Sequence, residues 1–243
     1  MGVYTIFGIN GVGKDTVANE IKKNNPDIKV TSMSRILMYI LGITETYDTS
    51  EKVNEEQYRI LESTPQNIMI DIENNQYRQL LEKMAQSEEN VIFLTHLVSA
   101  LRHQGETIYL KDRLTPKWFI ELNEQLIQLV APAELIRERR ERDNKRKREI
   151  DINEILEQQE LCSKEWERIS ISNILNKDRM HIVNNINLTE ATNEINGIIC
   201  GRNRKKFVES LKYTAVYTKI DNNVEKLELH KALGLNDKND YIR

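Results

Sequence analysis

The sequence predicts an α/β fold: a five-stranded parallel sheet with helices on both faces. Short apolar runs alternate with stretches of helical spacing five times along the chain, the pattern of a parallel sheet with crossover helices. The run at residues 91–94, Val-Ile-Phe-Leu, is apolar without interruption, as a strand buried on both faces is. The chain also opens with a strand, a glycine-rich loop and a helix in immediate succession.

That opening organises the rest. Val3–Phe7 is β-branched and aromatic and reads as a buried strand. Glycines follow at 8, 11 and 13, then Lys14, then residues 16–21 with helical spacing. Gly8-x4-Gly13-Lys14 has the spacing of a phosphate-binding loop, in the strand-to-helix context such a loop needs. Glycine permits positive φ and brings backbone N–H groups against phosphate oxygens. The helix N-terminus adds a partial positive charge and Lys14 a full one. Gly8, Asn10, Gly11, Val12, Gly13, Lys14, Asp15 and Thr16 are the candidate phosphate ligands. The residue after the lysine is Asp15, and the hydroxyl suited to magnesium arrives at Thr16. Metal contact is therefore expected to run mostly through water and phosphate oxygens.

The remaining elements follow in order. Residues 24–27 make a turn and 28–31 the second strand. Ser32 and Ser34 open an apolar helix over 35–41, stopped by Gly42. Residues 44–55 are polar and read as a mobile loop, followed by a short helix at 58–61. Thr64-Pro65 caps a long helix to about Ser87, with Ile68, Ile72, Tyr77, Leu80, Leu81 and Met84 on one face. Thr95-His96 sit at the C-terminal end of the third strand, where open α/β sheets bind ligands. Residues 104–113 suggest a small hairpin or loop, 115–122 a helix, and 126–130 the fourth strand. A helix from Ala131-Pro132 runs into an arginine cluster; a long helix at 152–175, a strand at 180–183 and a helix at 188–199 close the pattern. Residues 1–201 form the expected domain. Residues 202–243 are a C-terminal extension outside the pattern, with a basic run at 202–206.

Composition narrows the class. With 243 residues, 39% of them hydrophobic and 30% charged, the chain can bury one full α/β core with an appendage. A net charge of −3 argues against bulk attraction to nucleic acid. Cys162 and Cys200 are too few and too far apart for a disulfide framework or a zinc site, and read as free thiols in a reducing compartment. No run is apolar enough for a membrane span. The expectation is a cytoplasmic, enzyme-sized protein with no membrane partner.

Residues 137–148 form a second constellation, where basic residues far outnumber acids in an otherwise acidic chain. Charge runs are usually solvated helix ends laced with i,i+4 pairs. A nucleic-acid patch would interleave aromatics for stacking, and none occur here. Downstream of a phosphate loop, the run reads as an arginine lid that closes over phosphates.

At this point a family resemblance becomes specific. Arg139-Arg140-x-x-Asp143-x-x-Arg146-x-Arg148, followed by Gln158 or Gln159, resembles the lid of the archaeal-type adenylate kinases, which are P-loop nucleoside monophosphate kinases. Thr95-His96 is similar to that family's Asp-Thr-His. Tyr109-Leu110 with residues 114–122 resembles its loop into the fourth strand, and Ile182-Val-Asn184 its last strand and asparagine. The resemblance covers residues 3–200. It implies a P-loop kinase fold with a short arginine lid at about 137–150 and reversible transfer of the γ-phosphoryl group of ATP, with Mg2+, to a nucleoside monophosphate, AMP first. It also implies a homo-oligomer. Lys14, Arg140, Arg146 and Arg148 would act on the transferring phosphoryl group, Arg140 lying against the adenine or reaching phosphate. No general base is demanded, because the acceptor is already an anion.

Ser34, Arg35, Arg78 and His96 are the candidate acceptor ligands, although His96 reads equally well as a structural histidine. The sequence departs from the family at Leu94, where an aspartate near magnesium is expected; Asp71, Glu73 and Asp112 are the candidates to replace it. Gly-Lys-Asp-Thr also resembles the loop of some phage deoxynucleotide kinases, which keeps the acceptor open. Leu94 and the extension favour an alternative: an ATP-binding regulatory protein or slow ATPase that keeps the fold without acceptor activity.

Overall fold

Strand β1 (Val3–Phe7) occupies the centre of a five-stranded sheet in the order β2 (Lys29–Ser32), β3 (Val91–Thr95), β1, β6 (Asn123–Val130), β7 (Met180–Asn184), with every pairing parallel. The computed structural model describes residues 2–49, 53–65, 68, 72, 76–87, 89–97, 99–103, 106–110, 117–143, 150–172 and 178–200. Contacts divide the chain into a unit of Met1–Arg202 and a second of Asn203–Arg243, and all described residues belong to the first.

In chain order, β1 leads to α1 (Lys14–Asn24), β2 (Lys29–Ser32), α2 (Met33–Ile40), α3 (Glu55–Ser63) and α4 (Tyr77–Gln86). Then come β3 (Val91–Thr95), β4 (Ser99–His103), β5 (Glu106–Leu110), α5 (Lys117–Leu122) and β6 (Asn123–Val130). The unit closes with α6 (Ala133–Glu141), α7 (Ile152–Ser172), β7 (Met180–Asn184) and α8 (Leu188–Ile199). All five residues of β1 are buried, as a strand paired on both edges and covered on both faces must be. Helix α1 packs on α8, the first helix against the last, and α6 packs on α7. The hairpin expected near 104–113 is a separate antiparallel pair, β4 with β5.

Local chemistry sets the ends of these elements. The side chain of Asn54 accepts from Gln57 N, while Gln57 Oε1 accepts from Asn54 N: a capping box that starts α3. Asn187 Oδ1 accepts from Thr189 N and Glu190 N at the start of α8. Edge-to-face contacts link Phe7 with Phe119 and Trp166, and Phe93 with Phe119, filling the core against β1 and β3.

Two expectations need correction. The fourth strand of the main sheet begins at Asn123, not Leu126. Its polar start is tolerated because Asn123, fully buried, accepts from Thr5 Oγ1 at 2.5 Å and donates to Phe119 O at 2.7 Å. Residues 44–49 of the supposed mobile loop are instead fastened along the edge of β2. Thr31 Oγ1 donates to Tyr47 O, Val30 N to Asp48 Oδ2, and Thr49 N to Val30 O. Lys22 of α1 reaches the same Asp48 at 2.5 Å. An exposed edge strand is a template for aggregation, and this segment covers it. The long helix expected from 64 to 87 is described only in part, with α4 beginning at Tyr77.

Candidate functional site

Leaving β1, the chain passes at once into the glycine loop at the C-terminal edge of the sheet. Gly11 and Gly13 take φ of 84° and 99°, left-handed values that side chains disfavour. Neighbours also leave no room for a Cβ: at Gly11 it would meet Arg140 Cγ at 2.8 Å, and at Gly13 the amide of Asn185.

The loop is gripped by its carbonyls. Lys14 Nζ donates to Gly8 O at 2.6 Å and to Ile9 O at 3.2 Å. Arg140 Nε donates to Asn10 O at 2.9 Å, and Arg139 Nη1 to Val12 O at 2.8 Å. Asn185 Nδ2 also reaches Val12 O, at 2.7 Å. In a trans peptide the N–H points opposite to the preceding carbonyl. Held at these oxygens, the peptide planes that precede Gly11 and Gly13 are fixed, and with them the directions of those N–H groups. The first N–H groups of α1 add to them, since a helix's first turn has no intrahelical acceptors. A glycine loop with fixed peptide planes at the N-terminus of a helix is a place where phosphate can bind.

A cavity of about 490 Å³ opens there, lined by Gly11, Gly13, Lys14, Asp15 and Thr16 from the loop and α1, and by Arg139 and Asn185 opposite. Its size suits a nucleotide. Lys14 is 7% exposed, so its charge acts in a poorly solvated place. Burial also pulls the pKa of Arg139 below its ordinary value, yet guanidinium remains a cation. Thr16 presents the hydroxyl suited to a metal ion that arrives with phosphate; among the described residues no cluster of three His, Cys, Asp or Glu could hold one by itself.

His96, just past β3, lies against the same loop. Its Nδ1 is 2.7 Å from Gly8 O and 3.4 Å from Lys14 Nζ. A carbonyl can only accept, so in this contact Nδ1 is the donor to Gly8 O. At the preceding strand end, Leu94 is 3% exposed and belongs to the hydrophobic core.

The other candidates are scattered. Arg140 is 4% exposed; the guanidinium expected at a base or phosphate is shared by Asn10 O and Gln158 Oε1. Ser34 and Arg35 stand at the start of α2, where Ser32 Oγ lies 3.1 Å from Ser34 Oγ and accepts from Arg35 N; Arg35 itself is buried. Arg78 lies on the exposed side of α4, paired with Glu82 at 2.7 Å and stacked over Trp118 at 5.3 Å. Arg146, Arg148, Asp71, Glu73 and Asp112 lie outside the described residues. Sequence reasoning missed the grip of Arg139 and Asn185. The family resemblance points to Asn184, which is exposed, whereas its neighbour Asn185 is 2% exposed and enters the site. The available signal was a polar residue immediately after a strand whose C-terminal end abuts the loop.

Sheet order, phosphate loop and flanking arginines define a P-loop α/β protein of the kinase-like kind. A protein-family model described as an AAA domain matches residues 7–157, more than half of the chain, and the chain belongs to that family. A search of curated proteins finds no match. Among solved structures it is similar to TT1252 from Thermus thermophilus, at 15% identity over 83% of this chain and 97% of that one, TM-score 0.46. It is also similar to a gluconokinase from Sinorhizobium meliloti 1021, at 12% identity over 88% and 97%, TM-score 0.44. A third is an unliganded sugar kinase from Janibacter sp. HTCC2649, at 12% identity over 80% and 92%, TM-score 0.44. At these TM-scores the likenesses carry no argument about substrate. No described helix is long and apolar enough to cross a membrane.

Proposed function

We propose that the chain transfers the γ-phosphoryl group of Mg-ATP to a nucleoside monophosphate, with AMP the first acceptor to try. The observation that carries this reading is the glycine loop at a helix N-terminus whose carbonyls are held by Lys14, Arg139, Arg140 and Asn185. It is preorganised for phosphate oxygens, and preorganised donors need not rearrange as charge shifts in transfer. Bound ATP would supply the phosphoryl group and magnesium would neutralise its oxygens; Thr16 and the N–H groups of Gly13 to Thr16 would hold them. Lys14 would exchange its carbonyl partners for phosphate oxygens.

A phosphate acceptor arrives ionised and requires no base. Ser34 and Arg35 stand at the same C-terminal edge of the sheet, at β2, and are the proposed acceptor contacts. Arg146 and Arg148 are the proposed closing arginines, 1–201 the proposed kinase domain, and a homo-oligomer the proposed assembly. Leu94 also favours a second reading, an ATP-binding regulator or slow ATPase.

A coupled assay of ADP formation from Mg-ATP, run with a panel of ribo- and deoxyribonucleoside monophosphates and a no-acceptor control, decides between them. Turnover that requires one monophosphate is the expected result. Turnover indifferent to acceptor, or ATP binding without turnover, favours the second reading and rejects the first.

A further inference from the structure

A second cavity, of about 210 Å³, lies against the other side of the phosphate loop. Loop residues divide between the two: Gly11 and Gly13 line the first, Ile9 and Val12 the second. The loop is a partition one chain thick. Beyond it the second cavity is walled by β6 and α7, with Ser163 of α7 exposed at its mouth.

Gln128 is the unusual member of this wall. The residue is 4% exposed and lines the cavity, and its amide makes no hydrogen bond among the described residues although its atoms are not sealed from solvent. An amide that opens on a cavity in this way offers a donor and an acceptor to whatever occupies it. Around it stand Ile9, Val12 and Leu129, all apolar and buried, and the buried thiol of Cys162, a polarizable surface for a flat ring. Every residue lining this cavity is uncharged, in contrast to the phosphate side with Lys14 and Arg139. Phosphate is therefore disfavoured here. An engineered apolar cavity of about 150 Å³ accepts benzene, so this one has room for a somewhat larger ring.

We propose that this cavity is a binding site for an uncharged, planar heterocycle with adjacent hydrogen-bond donor and acceptor, the chemistry of a free nucleobase, its edge paired with the Gln128 amide. A glutamine amide offers one donor and one acceptor side by side and pairs bidentately with such an edge. A ring seated there presses on Ile9 and Val12, whose carbonyls are held by Lys14 and Arg139. Occupancy of one cavity thereby changes affinity in the other, and the linkage is reciprocal. The site does not depend on which acceptor the phosphoryl group reaches.

The test uses the full chain with adenine, guanine, cytosine and uracil as probes, read by saturation-transfer NMR and calorimetry, with and without saturating ATP. At least one base should bind with ATP present, with an affinity that ATP shifts. Gln128→Leu should weaken it tenfold or more. Ser163→Trp, at the exposed mouth, should block it while leaving melting temperature and ATP affinity unchanged. Should Gln128→Leu lose the fold, Ser163→Trp carries the test alone. The proposal is overturned if no base binds in either condition, if ATP displaces the base outright, or if Ser163→Trp binds it as the wild type does.

Discussion

Arg139 and Asn185 share one acceptor. The carbonyl of Val12 takes Nη1 of Arg139 at 2.8 Å and Nδ2 of Asn185 at 2.7 Å, and Arg139 completes the triangle by donating Nη2 to Asn185 O at 2.8 Å. The loop, the end of α6 and the turn after β7 meet at this one oxygen. Its position fixes the peptide plane between Val12 and Gly13, and with it the direction of the Gly13 N–H.

Arg139→Lys keeps the charge and loses the fork. A single ammonium cannot serve both carbonyls in plane, so one charge-assisted bond is lost, worth about 1.5 kcal/mol. ATP affinity by titration calorimetry should fall roughly tenfold. Unchanged affinity would show that the Val12 carbonyl needs no such anchor.

Two glycines with similar φ should behave differently. A Cβ at Gly13, where φ is 99°, would collide with the Asn185 amide, whereas one at Gly42, where φ is 69°, would have nothing within 4 Å. Gly42→Ala should cost about 1 kcal/mol in urea unfolding, the ordinary penalty of a left-handed residue. Gly13→Ala adds a collision and should cost at least about 2 kcal/mol, with loss of nucleotide binding. Equal costs would contradict the close approach.

His181 makes the fold sensitive to acid. On β7 its Nε2 lies 2.7 Å from Gln125 Oε1, and burial lowers its pKa from 6.5 to about 4, with Asp178 opposing the shift. The unfolded chain thus binds this proton more readily than the folded one, so stability rises with pH across the interval. The contribution is complete above about pH 6.5 and is lost as pH falls towards 4. Urea midpoints of wild type and His181→Gln should converge over that range. Parallel curves would reject a neutral histidine in the fold.

Asp48 holds the cover of β2. It accepts from Lys22 Nζ and from Val30 N, and its residue is 7% exposed. Asp48→Ala leaves both donors without this acceptor and should cost about 2 kcal/mol. It should also raise light scattering on mild heating, as the edge of β2 is uncovered. A destabilised variant that does not aggregate would separate the stabilising role from the protective one.

Much of this fold is written locally. Val3–Phe7 and the glycine spacing define the strand and loop without reference to anything distant, and Leu188–Ile199 is legible to its last residue because a cap and an apolar stripe mark it. Asn123 is not legible as strand, because its burial depends on Thr5 and Phe119, far away in sequence or hidden behind a helix end. Residues 44–49 look mobile because polarity suggests solvent, whereas Asp48 and Thr49 spend theirs on β2. The phosphate loop is legible for the same local reasons as its strand. Its grip is not, since Arg139 and Asn185 converge on Val12 only through the order of the strands.

Placing β1 in the middle of the sheet sets the tempo of folding. Val3 pairs with Val91 on one side and Asn123 on the other, so neither partner exists until roughly ninety residues later in synthesis. At ordinary translation rates that interval is on the order of ten seconds, during which an apolar strand has no sheet to join. Pairings so distant also make slow nuclei. The glycine loop that follows β1 is thus made early and ordered late, and nascent chains should lean on chaperones until β6 emerges.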